Sequence, residues 1–121
     1  RNRFHVLKLY GARVIRPVLN MELRGGYARK QIRRFRKWLT REDLQLNVRE
    51  RESLEEALSE SHTLEIVVEF KRRLKALMQP SIEDTDRLAR LQEWCAKAEA
   101  TRIEALREFA EKLRGYSMRA A

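Results

Sequence analysis

From Leu64 to Met78 the apolar residues Leu64, Val67, Val68, Leu74 and Met78 fall at helical steps, and Ile66, Phe70 and Leu77 widen the stripe. Spacing of three and four recurs along the rest of the chain. A chain with that period buries its apolar residues by laying one face of each helix against another. Four Gly and two Pro among 121 residues supply too little turn material for a multi-stranded sheet. The pattern predicts an all-α fold: one compact bundle of five or six helices, forming a single domain over residues 1–121.

The first helix carries Phe4, Leu7, Gly11, Val14, Ile15, Val18 and Leu19. Pro17 lies inside it. Proline removes a backbone donor and crowds the preceding turn, which predicts a kink or break near Arg13–Arg16. Arg24-Gly25-Gly26 closes the helix, since glycine tolerates the left-handed backbone that ends helices. The second helix spans Tyr27–Glu42, with a narrow apolar stripe of Ala28, Ile32, Phe35 and Leu39 and Trp38 beside it.

Asn47 is the expected N-cap of a third helix with Val48, Leu54, Ala57 and Leu58 on its apolar side. Residues 59–62 (SESH) break the pattern before the 64–78 stripe. The β-branched run Ile66–Val68 also suits a short strand, but the helical period persists to Met78 and favours helix. Pro80 stops that helix. Ser81 with Asp84, and Thr101 with Glu104, are spaced like capping boxes. They open helices carrying Leu88, Leu91, Cys95 and Ala98 beside Trp94, then Ile103, Leu106, Phe109, Ala110 and Leu113. Gly115 stands where a C-capping glycine belongs, and Tyr116 is placed to fold back on the last helix.

Catalytic motifs are lacking. His5 falls on a polar face and His62 in a turn, and no spacing resembles a metal site. Cys95 reads as a small buried hydrophobe, and one cysteine makes no intramolecular disulfide, which suits a reducing compartment. Glu83 and Asp84 fit a helix N-terminus without any catalytic role. Trp38 and Trp94 adjoin apolar stripes and read as core or rim packing. No apolar run reaches the ~18 residues that span a bilayer, and no secretory leader is evident. The start at Arg1, already within helix pattern, reads as a fragment of a longer protein.

Charge is the distinctive feature. The net charge is +9, and it is unevenly placed. Residues 1–41 hold thirteen basic residues against Glu22 alone, whereas residues 42–121 hold fourteen basic and seventeen acidic residues. On the second helix Lys30, Arg33, Lys37 and Arg41 form one line, with Arg29, Arg34 and Arg36 beside it. These seven residues are the candidate anion-binding surface. A solvated basic face is the plain alternative. A ligand could be an anionic lipid surface or a nucleic-acid backbone.

The stretches NRFHVLKLYGARVIRPVL (2–19), LTREDLQL (39–46), LEIVVEFKRRLKAL (64–77) and above all LQEWCAKAEATRIEALREFAEKLRGYSM (91–118) resemble the C-terminal tail of bacterial membrane fatty-acid desaturases. In such tails the connection after Ala-Glu-Ala is usually Ser-Gly, where this chain has Thr101-Arg102. The resemblance implies a non-catalytic cytoplasmic appendage at the inner face of the bacterial membrane. The parent would insert a cis double bond into an acyl chain. Its di-iron centre would lie outside this chain, which matches none of the histidine boxes and so holds no cofactor of its own. The implied partners are anionic lipid, an acidic acyl carrier and the rest of the parent. The same 91–114 pattern also resembles the helical end of DDE-class insertion-sequence transposases, which implies DNA as the partner. A third reading makes the apolar 64–78 stripe an oligomerisation interface.

Overall fold

A computed structural model describes the backbone of residues 2–120 and the side-chain surroundings of residues 5–115. The elements are α1 (Asn2–Tyr10), a π-helical turn (Gly11–Ile15), α2 (Arg16–Leu23), α3 (Arg29–Thr40), α4 (Val48–Ser59), α5 (His62–Leu77), α6 (Asp84–Ala100) and α7 (Glu104–Ala120). The backbone stays helical from α1 through the π turn into α2, so six helical rods make the bundle. The described residues contain no strand, and Ile66–Val68 lie within α5.

Pro17 explains the π turn. Its ring crowds the carbonyl four residues back, and it has no N–H to donate. The helix widens just ahead of it, and the Arg16 N–H donates to the Gly11 carbonyl five residues back. The irregularity predicted near Arg13–Arg16 is this widened turn, through which the helix continues. Gly11 also sets how closely the turn approaches α3, because a Cβ there would stand 3.0 Å from Thr40 Cγ2.

The core gathers around Tyr10, which is fully buried. Its ring meets Phe109 edge-on at 5.1 Å and Trp94 at 6.1 Å, and its hydroxyl donates to the Val67 carbonyl at 2.5 Å. Trp94 is itself buried and donates its indole N–H to the Phe70 carbonyl at 3.0 Å. Each such aromatic pair contributes about 0.5–1.5 kcal/mol beyond its buried area. Together these contacts fasten α1 to α5, α6 and α7.

The buried seam of α1 runs through Val6 and Tyr10, with Leu7 only half-buried. Of the predicted seam, Gly11, Val14, Ile15, Val18 and Leu19 are buried, Val6 and Tyr10 take the inner positions ahead of them in place of Leu7, and Phe4 lies outside the described side chains. The 64–78 stripe is consumed within the bundle, where Leu64, Val67, Val68, Phe70, Leu74 and Met78 are all buried.

Helix ends follow the predicted chemistry in places. Asn47 Oδ1 accepts the Glu50 N–H at 2.8 Å, and Glu50 Oε1 accepts the Asn47 N–H at 3.0 Å, a complete capping box. Ser61 caps α5 by accepting the Leu64 N–H, which makes His62 the exposed first residue of that helix.

Elsewhere other residues take over. Ser81 caps nothing; the α5–α6 connection is held by Arg87, whose guanidinium donates to the carbonyls of Leu77, Gln79 and Ile82 at 2.8–2.9 Å. Thr101 closes α6 rather than opening α7, donating to the Ala98 carbonyl at 2.7 Å. Glu104 pairs with Arg107 instead of reaching back. Between the helices Arg102 takes φ 62°, a left-handed backbone on a residue with a Cβ. No glycine has positive φ. Gly25 and Gly26 therefore close α2 without the left-handed conformation, and Gly115 lies inside α7 rather than at its end. The predicted fold-back of Tyr116 lies outside the described side chains.

Candidate functional site

The α2–turn–α3 unit presents the basic surface. The α3 stripe of Ile32, Phe35 and Leu39 is buried against the bundle, as its spacing predicts. Ala28 precedes α3, and its N–H donates to Gln31 Oε1 at 3.1 Å. With one face buried, the cations of α3 divide between two others. Lys30, Arg34 and Lys37 point to solvent. Arg29, Arg33 and Arg36, at steps of four and three, lie on the flank that meets α2.

That flank walls a cleft of about 520 Å³, with Arg16, Asn20 and Arg24 of the facing side and Tyr27 between the helices. A second groove of about 340 Å³ continues from it past the π turn, lined by Lys8, Gly11, Ala12, Thr40 and Arg41, and shares Arg16 and Arg36 with the first. The two form one basic trench along α3. At ~1.5 Å per residue the trench is on the order of 18 Å long from Arg29 to Arg41.

No acidic residue lines either groove. Among the described residues, Lys8, Arg16, Arg24, Arg29, Arg33 and Arg36 form no ion pair, nor do Lys30, Arg34 and Lys37. The nearby carboxylates are each engaged by a partner. Glu22 accepts the Ser61 hydroxyl at 2.5 Å, and Glu60 accepts the Tyr27 hydroxyl. Glu42 holds Lys71 and Lys75, each at 2.6 Å. Arg41 is the exception among the seven candidates, because Asp43 takes its guanidinium in two bonds of 2.8 and 3.2 Å. That contact holds the Asp43 carboxyl below its usual range. Arg41 therefore stands at the end of the trench with its charge already engaged.

Tyr27 is fixed on two sides. Phe35 meets its ring edge-on at 5.5 Å. Its hydrogen bond to Glu60 pushes the phenol up to about 12. Phe35 in turn packs on half-buried Trp38 at 5.7 Å. Five guanidiniums around one cleft repel one another, a cost that a bound polyanion relieves.

Sequence reading of α3 alone misses Arg16, Arg24 and Lys8. They are scattered over residues 8–24, and only the folding of α2 against α3 brings them to the same groove. The remaining candidate groups do not line the trench. Cys95 is buried, and burial pushes its thiol up to about 11. His5 is exposed. Among the described residues no three His, Cys, Asp or Glu side chains come together to hold a metal ion, and no helix is long and apolar enough to cross a membrane.

The sequence model of a transposase family, the DDE transposases of the ISL3 type, matches residues 2–119. The chain belongs to this transposase family. No curated protein and no solved structure matches it.

Membership in the transposase family overturns the desaturase resemblance, since the match covers every stretch that carried it. The physical reason lies in α6 and α7. In the 91–118 block Leu91, Trp94, Cys95, Ala98, Leu106, Phe109, Ala110 and Leu113 are all buried. That block records how two helices pack and carries no chemistry. The oxidoreductase activity, the link to lipid metabolism and the distant di-iron centre fall with it. The DDE designation refers to acidic residues that hold catalytic metal ions, and among the described residues no group of His, Cys, Asp or Glu side chains fits such a site.

Proposed function

We propose that this chain is a nucleic-acid-binding helical part of a DDE-class transposase, and that the trench between α2 and α3 grips the phosphate backbone of DNA. One observation carries the reading. In a transposase-family chain, Arg16, Arg24, Arg29, Arg33 and Arg36 converge on one acid-free cleft with no ion-pair partners among the described residues. Arginine suits this task because its planar fork donates two parallel hydrogen bonds to a phosphate. Lys30, Arg34 and Lys37 extend the positive field outward and speed encounter. The role is exercised where the DNA is, in the cytoplasm.

Fluorescence anisotropy with labelled DNA over a salt series tests the proposal. Five neutralised phosphates predict a slope of about −4.5 in log affinity against log salt on duplex DNA, hence a loss of about 500-fold between roughly 50 and 200 mM. A loss smaller than tenfold over that interval would sink the phosphate-gripping role.

A further inference from the structure

The cleft is larger than phosphate recognition requires. Its volume of about 520 Å³ corresponds to roughly seventeen waters at ~30 Å³ each. A phosphate group has five non-hydrogen atoms, whereas a whole nucleotide has about twenty. The space falls in the range of pockets that enclose small molecules, about 300–1,000 Å³. An intact duplex offers such a cleft only a ridge of phosphates, with its bases stacked out of reach.

The lining suits a base as well as a phosphate. Arg16 and Arg24 stand on one wall and Arg29, Arg33 and Arg36 on the other. Guanidinium planes stack on aromatic rings in addition to pairing with phosphate. Between the walls Tyr27 offers an aromatic ring already held in place. Phe35 backs it edge-on at 5.5 Å, and Glu60 takes its hydroxyl. A ring fixed before binding loses little entropy when a base stacks on it. Asn20 adds a side chain that both donates and accepts, as a base edge requires. A positive groove interleaved with an aromatic platform is the arrangement that holds unpaired strands.

We infer that the cleft between α2 and α3 takes an unpaired nucleotide, with its base stacked on Tyr27 and its flanking phosphates on the arginine walls. The inference rests on the DNA-binding role proposed above and narrows it to single-stranded or frayed DNA.

Anisotropy with three labelled oligonucleotides decides it: a mixed-sequence single strand, its blunt duplex, and the duplex with an unpaired overhang. The 121-residue chain binds the single strand and the overhang at least tenfold more tightly than the blunt duplex at equal salt. Tyr27→Ala lowers single-strand affinity by roughly five- to 150-fold, the range of base–aromatic stacking, and narrows the preference. Tyr27→Phe, which keeps the ring, restores it. Melting curves of both variants check that the fold survives, and Tyr27→Phe keeps the test decisive should Tyr27→Ala unfold. Equal affinity for single strand and blunt duplex overturns the inference and leaves the DNA-binding role standing. So does a Tyr27→Phe variant that binds the single strand no better than the duplex. Failure to bind any of the three at low salt overturns both.

Discussion

The arginines of α2 and α3 and those of α5 to α7 are the same residue type under opposite arrangements. In the later helices the cations are largely spent within the fold. Arg72 and Arg73 share Glu69, Arg107 bridges Glu104 and Glu111, and Arg114 reaches Glu99 at 2.9 Å. Lys97 faces Glu93, and Arg87 serves three carbonyls and Asp84. Across the α2–α3 trench Arg16, Arg24, Arg29, Arg33 and Arg36 have no such partners among the described residues, and Arg41 alone is paired, with Asp43. Exposed helix pairs of the first kind stabilise by only a few tenths of a kcal/mol each, so the difference is slight for stability. It is large for the external field. One half of the molecule cancels its own charge, and the other half holds its charge available for a ligand.

The strongest way to break this comparison is to reverse charge in each half. Arg29→Glu with Arg33→Glu is expected to weaken DNA binding by about 100-fold at moderate salt, equivalent to ~2.7 kcal/mol. The melting temperature should hold or rise as repulsion in the cleft falls. Arg72→Glu with Arg73→Glu, the same charge change on paired residues, should cost less than threefold in affinity. Anisotropy and calorimetry on both double variants check it, and similar losses from the two would erase the distinction.

A smaller effect concerns the seam between the halves. Glu42 follows α3 and holds Lys71 and Lys75 of α5. Partial burial works to raise its carboxyl, but the two ammonium groups outweigh that and leave it lowered. A carboxyl lowered in the folded state adds stability that is present above its unfolded pKa, near 4.5. That stability is lost as pH falls through the folded value. Glu42→Gln should therefore cost about 1 kcal/mol at neutral pH, with the difference from wild type closing below about pH 4. Urea unfolding at a series of pH values measures it, and a constant difference at every pH would show that the ion pairs are not its source.

The smallest effect sharpens the comparison from the paired half. Arg102 is exposed, forms no ion pair among the described residues, and carries φ 62°. Replacing it with glycine removes both a positive charge and a backbone strain of about 1–2 kcal/mol, offset in part by the entropy of glycine in the unfolded chain. Arg102→Gly should stabilise by about 0.5–1 kcal/mol in thermal unfolding. If binding depends on the trench and not on total charge, DNA affinity should stay within twofold.

Most of the architecture could be read from the residues. The helical period located the α3 stripe and the α5, α6 and α7 cores, because burial on one face leaves a direct mark on spacing. Asn47 announced its cap through Glu50 three residues on. Other ends were misread where an isolated motif competed with its surroundings. Ser81 has the spacing of a cap, but Arg87 already satisfies the carbonyls of that connection. Glu104 is taken by Arg107.

In the first helix the expected burial holds at Gly11, Val14, Ile15, Val18 and Leu19 and departs at Leu7, for a single cause. Stepping back two turns from Val14 at 3.6 residues per turn reaches Leu7, but the π turn holds one extra residue and the buried position is Val6. The site was half legible. Six cations on α3 and Arg41 just past it stood out as a run, while their partners on α2 are visible only after folding. The desaturase resemblance misled because the 91–118 block preserves packing, and packing says little about chemistry.

The π turn has one more consequence. Val6, Tyr10, Val14 and Val18 recur every four residues, and on a regular α-helix that series drifts by about 40° at each step. The extra residue of the π turn absorbs about 100° of rotation and brings the series back toward one side. The same rotation turns Arg16, Asn20 and Arg24 toward α3. Residue count between Tyr10 and Pro17 thus acts as a setting of angular phase. Many substitutions there leave the phase alone, but losing a single residue would turn α2 about its axis and carry its arginines out of the trench. The number of residues in this stretch therefore matters in its own right, beside their packing.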